Sequence, residues 1–170
     1  MSSKTILITG CSADSLGAGL ALEAASRGYT VFAGLRNLSK APAELKQLSN
    51  IHLVTLDITS SSSIAEAVKT ISANTGDKGL DVLINNAGSG ICAPLADIPI
   101  EDAKALFDTN VFGAMALTQA LLPLLVKSKG IIVNNSSLSG MLWMPWHGEF
   151  TSIFRQVVQY FDIPMRPRSV

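Results

Sequence analysis

Several short stretches of this 170-residue chain combine residue types that do chemistry. The first is Thr9-Gly10-Cys11-Ser12-Ala13-Asp14-Ser15-Leu16-Gly17-Ala18-Gly19, which follows an apolar, β-branched run and passes directly into a helical pattern. In that setting glycine lets a pyrophosphate approach the backbone, and the helix N-terminus offers unpaired N–H groups with a partial positive charge. An ordinary tight turn would use the same glycines, so the stretch alone decides nothing. Three further groups close strand-like runs: Leu56-Asp57-Ile58, Asn85-Asn86-Ala87-Gly88 and Ser136-Ser137. Polar groups at the carboxyl ends of parallel strands lie on the edge where open α/β sheets take ligands. Singly, each has a plainer reading: Asp57 could cap the helix after it, and Asn85 or Asn86 could tie neighbouring strands by hydrogen bonds to backbone.

The elements that must position these groups follow from hydrophobic period. Thr5–Thr9, Thr30–Gly34, His52–Leu56, Asp81–Asn85 and Gly130–Asn135 read as short strands, apolar on both faces. Gly19–Arg27, Ala43–Leu48, Ser63–Asn74 and Glu101–Leu125 read as helices, the last preceded by Pro99 and opened by Glu101 and Asp102. Strand and helix alternate, which predicts an α/β fold: a doubly wound parallel sheet of about five strands with helices on both faces. Beyond Gly140 the pattern changes to a loop-like passage with Trp143, Pro145, Trp146 and His147. A last helical stretch over Thr151–Phe161 then aligns Ile153, Phe154, Val157, Val158 and Phe161 on one face, read first as a core-facing stripe.

Composition excludes whole classes of function. With 48% hydrophobic residues, 13 basic against 13 acidic residues and a mean hydropathy of +0.35, the chain is expected to be one soluble domain, not a disordered segment. Zero formal net charge and scattered basic residues remove the electrostatic footprint of a nucleic-acid binder. Cys11 and Cys92 are too few for a disulfide framework and lack metal-ligand spacing with His52 or His147, so the expectation is a reducing, cytoplasmic setting and no metal site. The N-terminus lacks a signal-peptide layout, and the apolar run Val111–Val126, interrupted by Gly113, Thr118, Gln119 and Pro123, falls short of a membrane span.

In their order along the chain, the glycine turn from Thr9-Gly10 to Gly17-Ala18-Gly19, the Asp57-Ile58 pair, the NNAG at 85–88, the helical Asn110 and the serine after the fifth strand make the sequence resemble the short-chain dehydrogenase/reductase family. The likeness runs from Lys4 to about Gly148. TGCS together with PW-x-G resembles in particular the fungal branch related to acyl-dihydroxyacetone-phosphate reductase. The resemblance implies a Rossmann-like domain over 1–148, a divergent tail over 149–170, and interconversion of a carbonyl and an alcohol by hydride transfer. It also implies that Gly10, Leu16 and Gly17 line the pyrophosphate and ribose, that Asp57 and Ile58 hold the adenine, and that Asn86, Ala87 and Gly88 line the middle of a nicotinamide cofactor.

The second strand distinguishes the two forms of that cofactor. An acidic residue at its end would accept from a free ribose 2′-hydroxyl, whereas Arg36 pairs with a 2′-phosphate and so favours NADP(H). Asp14 and Ser15 stand where many relatives have glycine, and a carboxylate beside a phosphate repels it.

For catalysis the resemblance implies a serine matching Ser137, an asparagine matching Asn110, and a tyrosine–lysine pair that exchanges the proton. At the family's spacing from Ser137 that pair falls on Phe150 and Phe154, which supply neither an exchangeable proton nor a cation. The family's later strands are also expected to be missing. That leaves Gly130–Asn135 at an apolar sheet edge, prone to pair with another chain. Three readings stay open: an impaired NADP(H)-dependent reductase acting on a small carbonyl or alcohol, a non-catalytic nucleotide- or partner-binding remnant, or a truncated or alternatively read gene product with no function of its own.

Overall fold

The computed structural model describes residues 3–137. Five strands, β1 (Thr5–Thr9), β2 (Thr30–Leu35), β3 (Ile51–Thr55), β4 (Val82–Asn85) and β5 (Ile131–Asn134), form one all-parallel sheet in the order β3-β2-β1-β4-β5. Five helices connect them: α1 (Leu16–Ser26), α2 (Ala43–Gln47), α3 (Ser61–Thr75), α4 (Ile100–Phe107) and α5 (Ala114–Ser128).

Strand periodicity divides the core in two. Leu7, Phe32, Val54 and Leu83 point to one face and meet Ile64, Ala67 and Ile71 of α3 and Leu117, Leu121 and Leu125 of α5. Ile6, Ile8, Val31, Ala33 and Ile51 point to the other and meet Ala18, Ala21 and Ala25 of α1 with Leu45 of α2. Side chains as fully enclosed as Leu7, Phe32 and Leu83 each contribute about 1.5–3 kcal/mol by leaving water. Small alanines on α1 bring that helix close over β1 and so hold the turn between them near the sheet.

From β1 the chain steps outward through β2 and β3, then crosses back over β1 to build β4 and β5 on the other side. The reversal opens a crevice between the carboxyl ends of β1 and β4, the place where doubly wound sheets bind ligands.

Several expectations shift. Helix α1 starts at Leu16, three residues before Gly19, because the Ser15 hydroxyl caps it by accepting from the Ala18 N–H at 3.1 Å. Helix α3 starts at Ser61, two residues before Ser63, because the Ser60 hydroxyl caps it by accepting from the Ser63 N–H. Strand β3 begins at Ile51, one residue earlier than its apolar pattern indicates. The single helix expected over Glu101–Leu125 is divided by one wide π-type turn, Asp108–Gly113, between α4 and α5.

Among the described residues the helical stretch Ile100–Ser128 is long and apolar enough to cross a membrane by length and composition. Its stripe Leu117, Leu121 and Leu125 is nevertheless fully buried against the sheet, as a core helix requires. The helix expected over Thr151–Phe161, the positions Phe150 and Phe154 and the boundary at 148 lie outside the described residues.

Candidate functional site

Two backbone positions shape the turn after β1. Gly10 has φ +77°, a conformation that L side chains rarely adopt, and a Cβ there would sit 3.0 Å from the Ala87 Cα. A Cβ on Gly17 would collide with the Gly10 carbonyl oxygen and lie 2.7 Å from the Asn86 Nδ2. The glycines therefore let the turn, the start of α1 and the end of β4 close on one another.

Ser15 fixes the same turn from within, its hydroxyl 2.8 Å from the Gly10 carbonyl and 2.6 Å from that of Ser12. Cys11 beneath it is fully enclosed, and burial pushes its thiol up to about 12 against a smaller opposing effect of a Gly34 backbone hydrogen bond. It packs as a small apolar group.

Beside this turn lies a cavity of about 380 Å³ lined by Gly10, Ser12, Ser15, Leu16, Arg36, Asp57, Ile58, Thr59, Asn86, Ala87, Gly88 and Thr109, among others. Every residue expected to bind cofactor lines it except Gly17, which packs directly behind Gly10. Asp14, the expected source of phosphate repulsion, is exposed and is not among the lining residues. Its φ of +58° is a left-handed value that aspartate tolerates.

Asp57 does not cap α3. Its Oδ1 accepts from the Thr59 N–H at 2.9 Å and the Thr59 hydroxyl at 2.7 Å, which folds the chain after β3 toward the cavity. The Thr59 hydroxyl, then its N–H and more weakly Arg36 hold the Asp57 carboxyl below its ordinary range. Arg36 is exposed at the rim and forms no ion pair among the described residues.

A second cavity, also about 380 Å³, adjoins the first and is lined by Asn85, Asn110, Ala114, Asn134, Asn135, Ser136 and Ser137, together with the stretch from Asn86 to Gly90. Residues 86–89 line both spaces and form a common wall. Asn110 holds that wall from the side: its Oδ1 accepts from the Ser89 N–H at 2.9 Å and its Nδ2 donates to the Ser89 carbonyl at 2.8 Å. The π-type turn presents this buried carboxamide, and such widened turns recur at functional sites. Ser137 stands across the same cavity, so the two expected catalytic residues share one chamber.

Asn85 ties strands through side chains and not through backbone: its Nδ2 donates to Asn134 Oδ1 and Thr118 Oγ1 and joins β4 to β5 and α5. Asn86 does tie strands through backbone, its Nδ2 donating to the Thr9 carbonyl, and it also lines both cavities.

Sequence reasoning passed over Thr9 and Asn135. The Thr9 hydroxyl accepts from the Asn86 and Ala87 N–H groups at 2.9 and 2.8 Å, and so sets the start of the wall. Its signal was a polar side chain ending an otherwise apolar buried strand, and Asn135 carries the same signal after β5.

The geometry is that of a dinucleotide-binding α/β domain: a glycine turn at a helix N-terminus, a crevice at the strand reversal and a second chamber beside it. A sequence profile described as short chain dehydrogenase matches residues 4–152, and the chain belongs to that family of nicotinamide-dependent oxidoreductases.

It is 41% identical to the short-chain dehydrogenase cctT of Talaromyces islandicus over 149 residues, covering 88% of this chain and 52% of that one. It is 35% identical to an NADPH-dependent 1-acyldihydroxyacetone phosphate reductase of Schizosaccharomyces pombe over 135 residues, covering 79% and 45%. The chain thus spans about half the length of the curated relatives it matches. Among solved structures it is similar to ElxO with NADP bound, at 28% identity and TM-score 0.85, covering 94% of this chain and 65% of that one. An ElxO structure with a tyrosine changed to phenylalanine and NADPH bound matches at 29% identity and TM-score 0.83, over the same shares of each chain.

Proposed function

We propose that this chain is the cofactor-binding part of an NADP(H)-dependent reductase of small carbonyl compounds, with its proton-transfer step impaired. One observation carries the reading: the two cavities share the wall 86–89, so a dinucleotide along the first reaches the chamber that holds Ser137 and Asn110. The chain's groups fit the cofactor: without a Cβ at Gly10 or Gly17 the turn closes on Asn86 and Ala87, which brings the N-terminus of α1, with its N–H groups, to the cavity that Ser15 and Leu16 line.

Residues Gly10, Leu16 and Gly17 would hold pyrophosphate and ribose, Asp57 and Ile58 the adenine, and Asn86, Ala87 and Gly88 the middle of the cofactor. Arg36 would pair with a 2′-phosphate. The bound cofactor supplies or accepts a hydride. Ser137 would donate a hydrogen bond to the substrate oxygen, while Asn110 steadies the wall that separates reactants from cofactor backbone.

Phe150 and Phe154, at the positions of the family's tyrosine and lysine, leave the substrate oxygen to exchange its proton with water. Losing a positioned acid removes about two to four orders of magnitude of rate. The second reading, a cofactor-binding module without turnover, rests on the same two phenylalanines. ElxO with tyrosine changed to phenylalanine still has NADPH bound.

Calorimetric titration with NADPH and NADH, beside a steady-state NADPH oxidation assay over a panel of ketones and aldehydes, tests both readings. Tight NADPH binding with little or no turnover is expected. Robust turnover that disappears in Ser137→Ala overturns the impairment, and failure to bind either cofactor overturns the function. We also propose that the apolar edge at β5, where Ile131 and Val133 are exposed, drives self-association.

A further inference from the structure

We propose that Asn135 is a positioning residue for Ser137 and that its carboxamide couples the two cavities; the proposal rests on the cofactor reading above. The main-chain ladder joining β5 to β4 ends where the Asn135 N–H donates to the Asn85 carbonyl at 2.9 Å. Ser137 lies two residues further on, after the end of β5 at Asn134. At that point the Asn135 Nδ2 donates to Asn86 Oδ1 at 3.0 Å and ties the start of the serine segment to the common wall.

The other end of the same Asn86 carboxamide donates to the Thr9 carbonyl at 2.8 Å, immediately before the glycine turn. Its Nδ2 also lies under Gly17, within 2.7 Å of where a Cβ would stand. Asn86 is therefore a planar bar with one end under the phosphate turn and the other fastened to the segment bearing Ser137. A carboxamide cannot turn one end without the other, so a ligand that presses on the turn shifts the acceptor on which Asn135 rests. Binding in one cavity then changes the order of the other, and by linkage the effect is reciprocal.

Asn135→Leu removes the donor at similar volume, whereas Asn135→Gln keeps one. In the unaltered chain, NADPH is expected to slow amide hydrogen exchange at Ser136 and Ser137 by about fivefold, within the usual range of site-to-site coupling. In Asn135→Leu that response should vanish while Gly10 and Gly17 still respond, and Asn135→Gln should restore it in part. An equal response at Ser137 in Asn135→Leu, or none in the unaltered chain while Gly10 responds, overturns the proposal.

A ligand-free arm separates it from the cofactor reading. Thr9→Val removes the hydroxyl that holds the Asn86 and Ala87 N–H groups and should speed exchange at Ser137 only where Asn135 is present. Silence at Gly10 and Gly17 on adding NADPH sinks the cofactor reading, and the Thr9→Val pair still decides the coupling: equal effects with and without Asn135 sink that too.

Discussion

The two cavities are equal in size and differ in what they are made of. The first sits at the reversal between β1 and β4, and its decisive surfaces are backbone: the Gly10 turn, the N-terminus of α1 and the wall held by Thr9. The second leans on β5, the edge strand among the described residues, and is lined by carboxamides and hydroxyls on side chains. Backbone placed by central strands is fixed by the fold, whereas side chains beside an edge depend on a few hydrogen bonds. The cofactor half of the site is accordingly expected to tolerate loss at the edge, but not any added atom at the turn.

Gly17→Ala is the sharpest attempt to break the first cavity. The new methyl meets the Gly10 carbonyl, a backbone group that cannot step aside, so we expect a loss of about 1–3 kcal/mol in stability together with loss of NADPH binding. Denaturant unfolding and calorimetry read the two. Full NADPH affinity in this variant would remove the turn from the site.

Asn110→Ala tests the partition itself. Two hydrogen bonds from a buried carboxamide to Ser89 disappear, at an expected cost of about 1–3 kcal/mol, and exchange at the Ser89 amide should accelerate. Unchanged exchange would mean that the wall stands without Asn110.

Arg36→Ala should weaken NADPH binding by about 1.5–3 kcal/mol, the range of a charge-assisted contact, and leave NADH binding unchanged. Equal losses for the two cofactors would remove Arg36 from discrimination.

Smaller effects come from titration. Because the Cys11 thiol is raised from 9.0 to about 12, the folded form keeps its proton when the unfolded form has lost it. The stability due to this group is whole below pH 9.0 and falls as pH rises from there toward about 12, with roughly 1 kcal/mol gone by pH 10. Cys11→Ala should flatten that part of the curve. The lowered Asp57 acts in the opposite sense: its small contribution is present above pH 3.8 and is lost as acid protonates the carboxylate below that value. Thr59→Val, which removes the hydroxyl but keeps the backbone N–H, should shrink it without abolishing it. At the edge, Ile131→Lys should lower light scattering at high concentration, and no scattering in the unaltered chain would remove the self-association.

The central sheet was legible in the sequence because parallel, doubly buried strands print continuous β-branched runs with turns between them. The lining of the first cavity was legible because its glycines and strand-end polar residues are set by type and order. The wide turn in the long helix was not read, although Asp108 to Gly113 consists of weak helix formers, because the apolar period on either side of it runs on as one helix. Nor was the start of α1, where Ser15 acts as a cap through a bond to a residue three positions on. The network of Thr9, Asn86 and Asn135 joins residues more than forty positions apart, and no local period records such contacts.

Strand order has a consequence in time. Thr9 waits for partners 77 and 78 residues later, and the strand that carries them, β4, is the fourth to leave the ribosome. At roughly 5–20 residues per second, the glycine turn spends on the order of several seconds without the wall that shapes it. The turn that is most exacting in geometry therefore gains its wall only when about half of the chain has been made, and the second cavity, which needs β5 and Ser137, is completed later still.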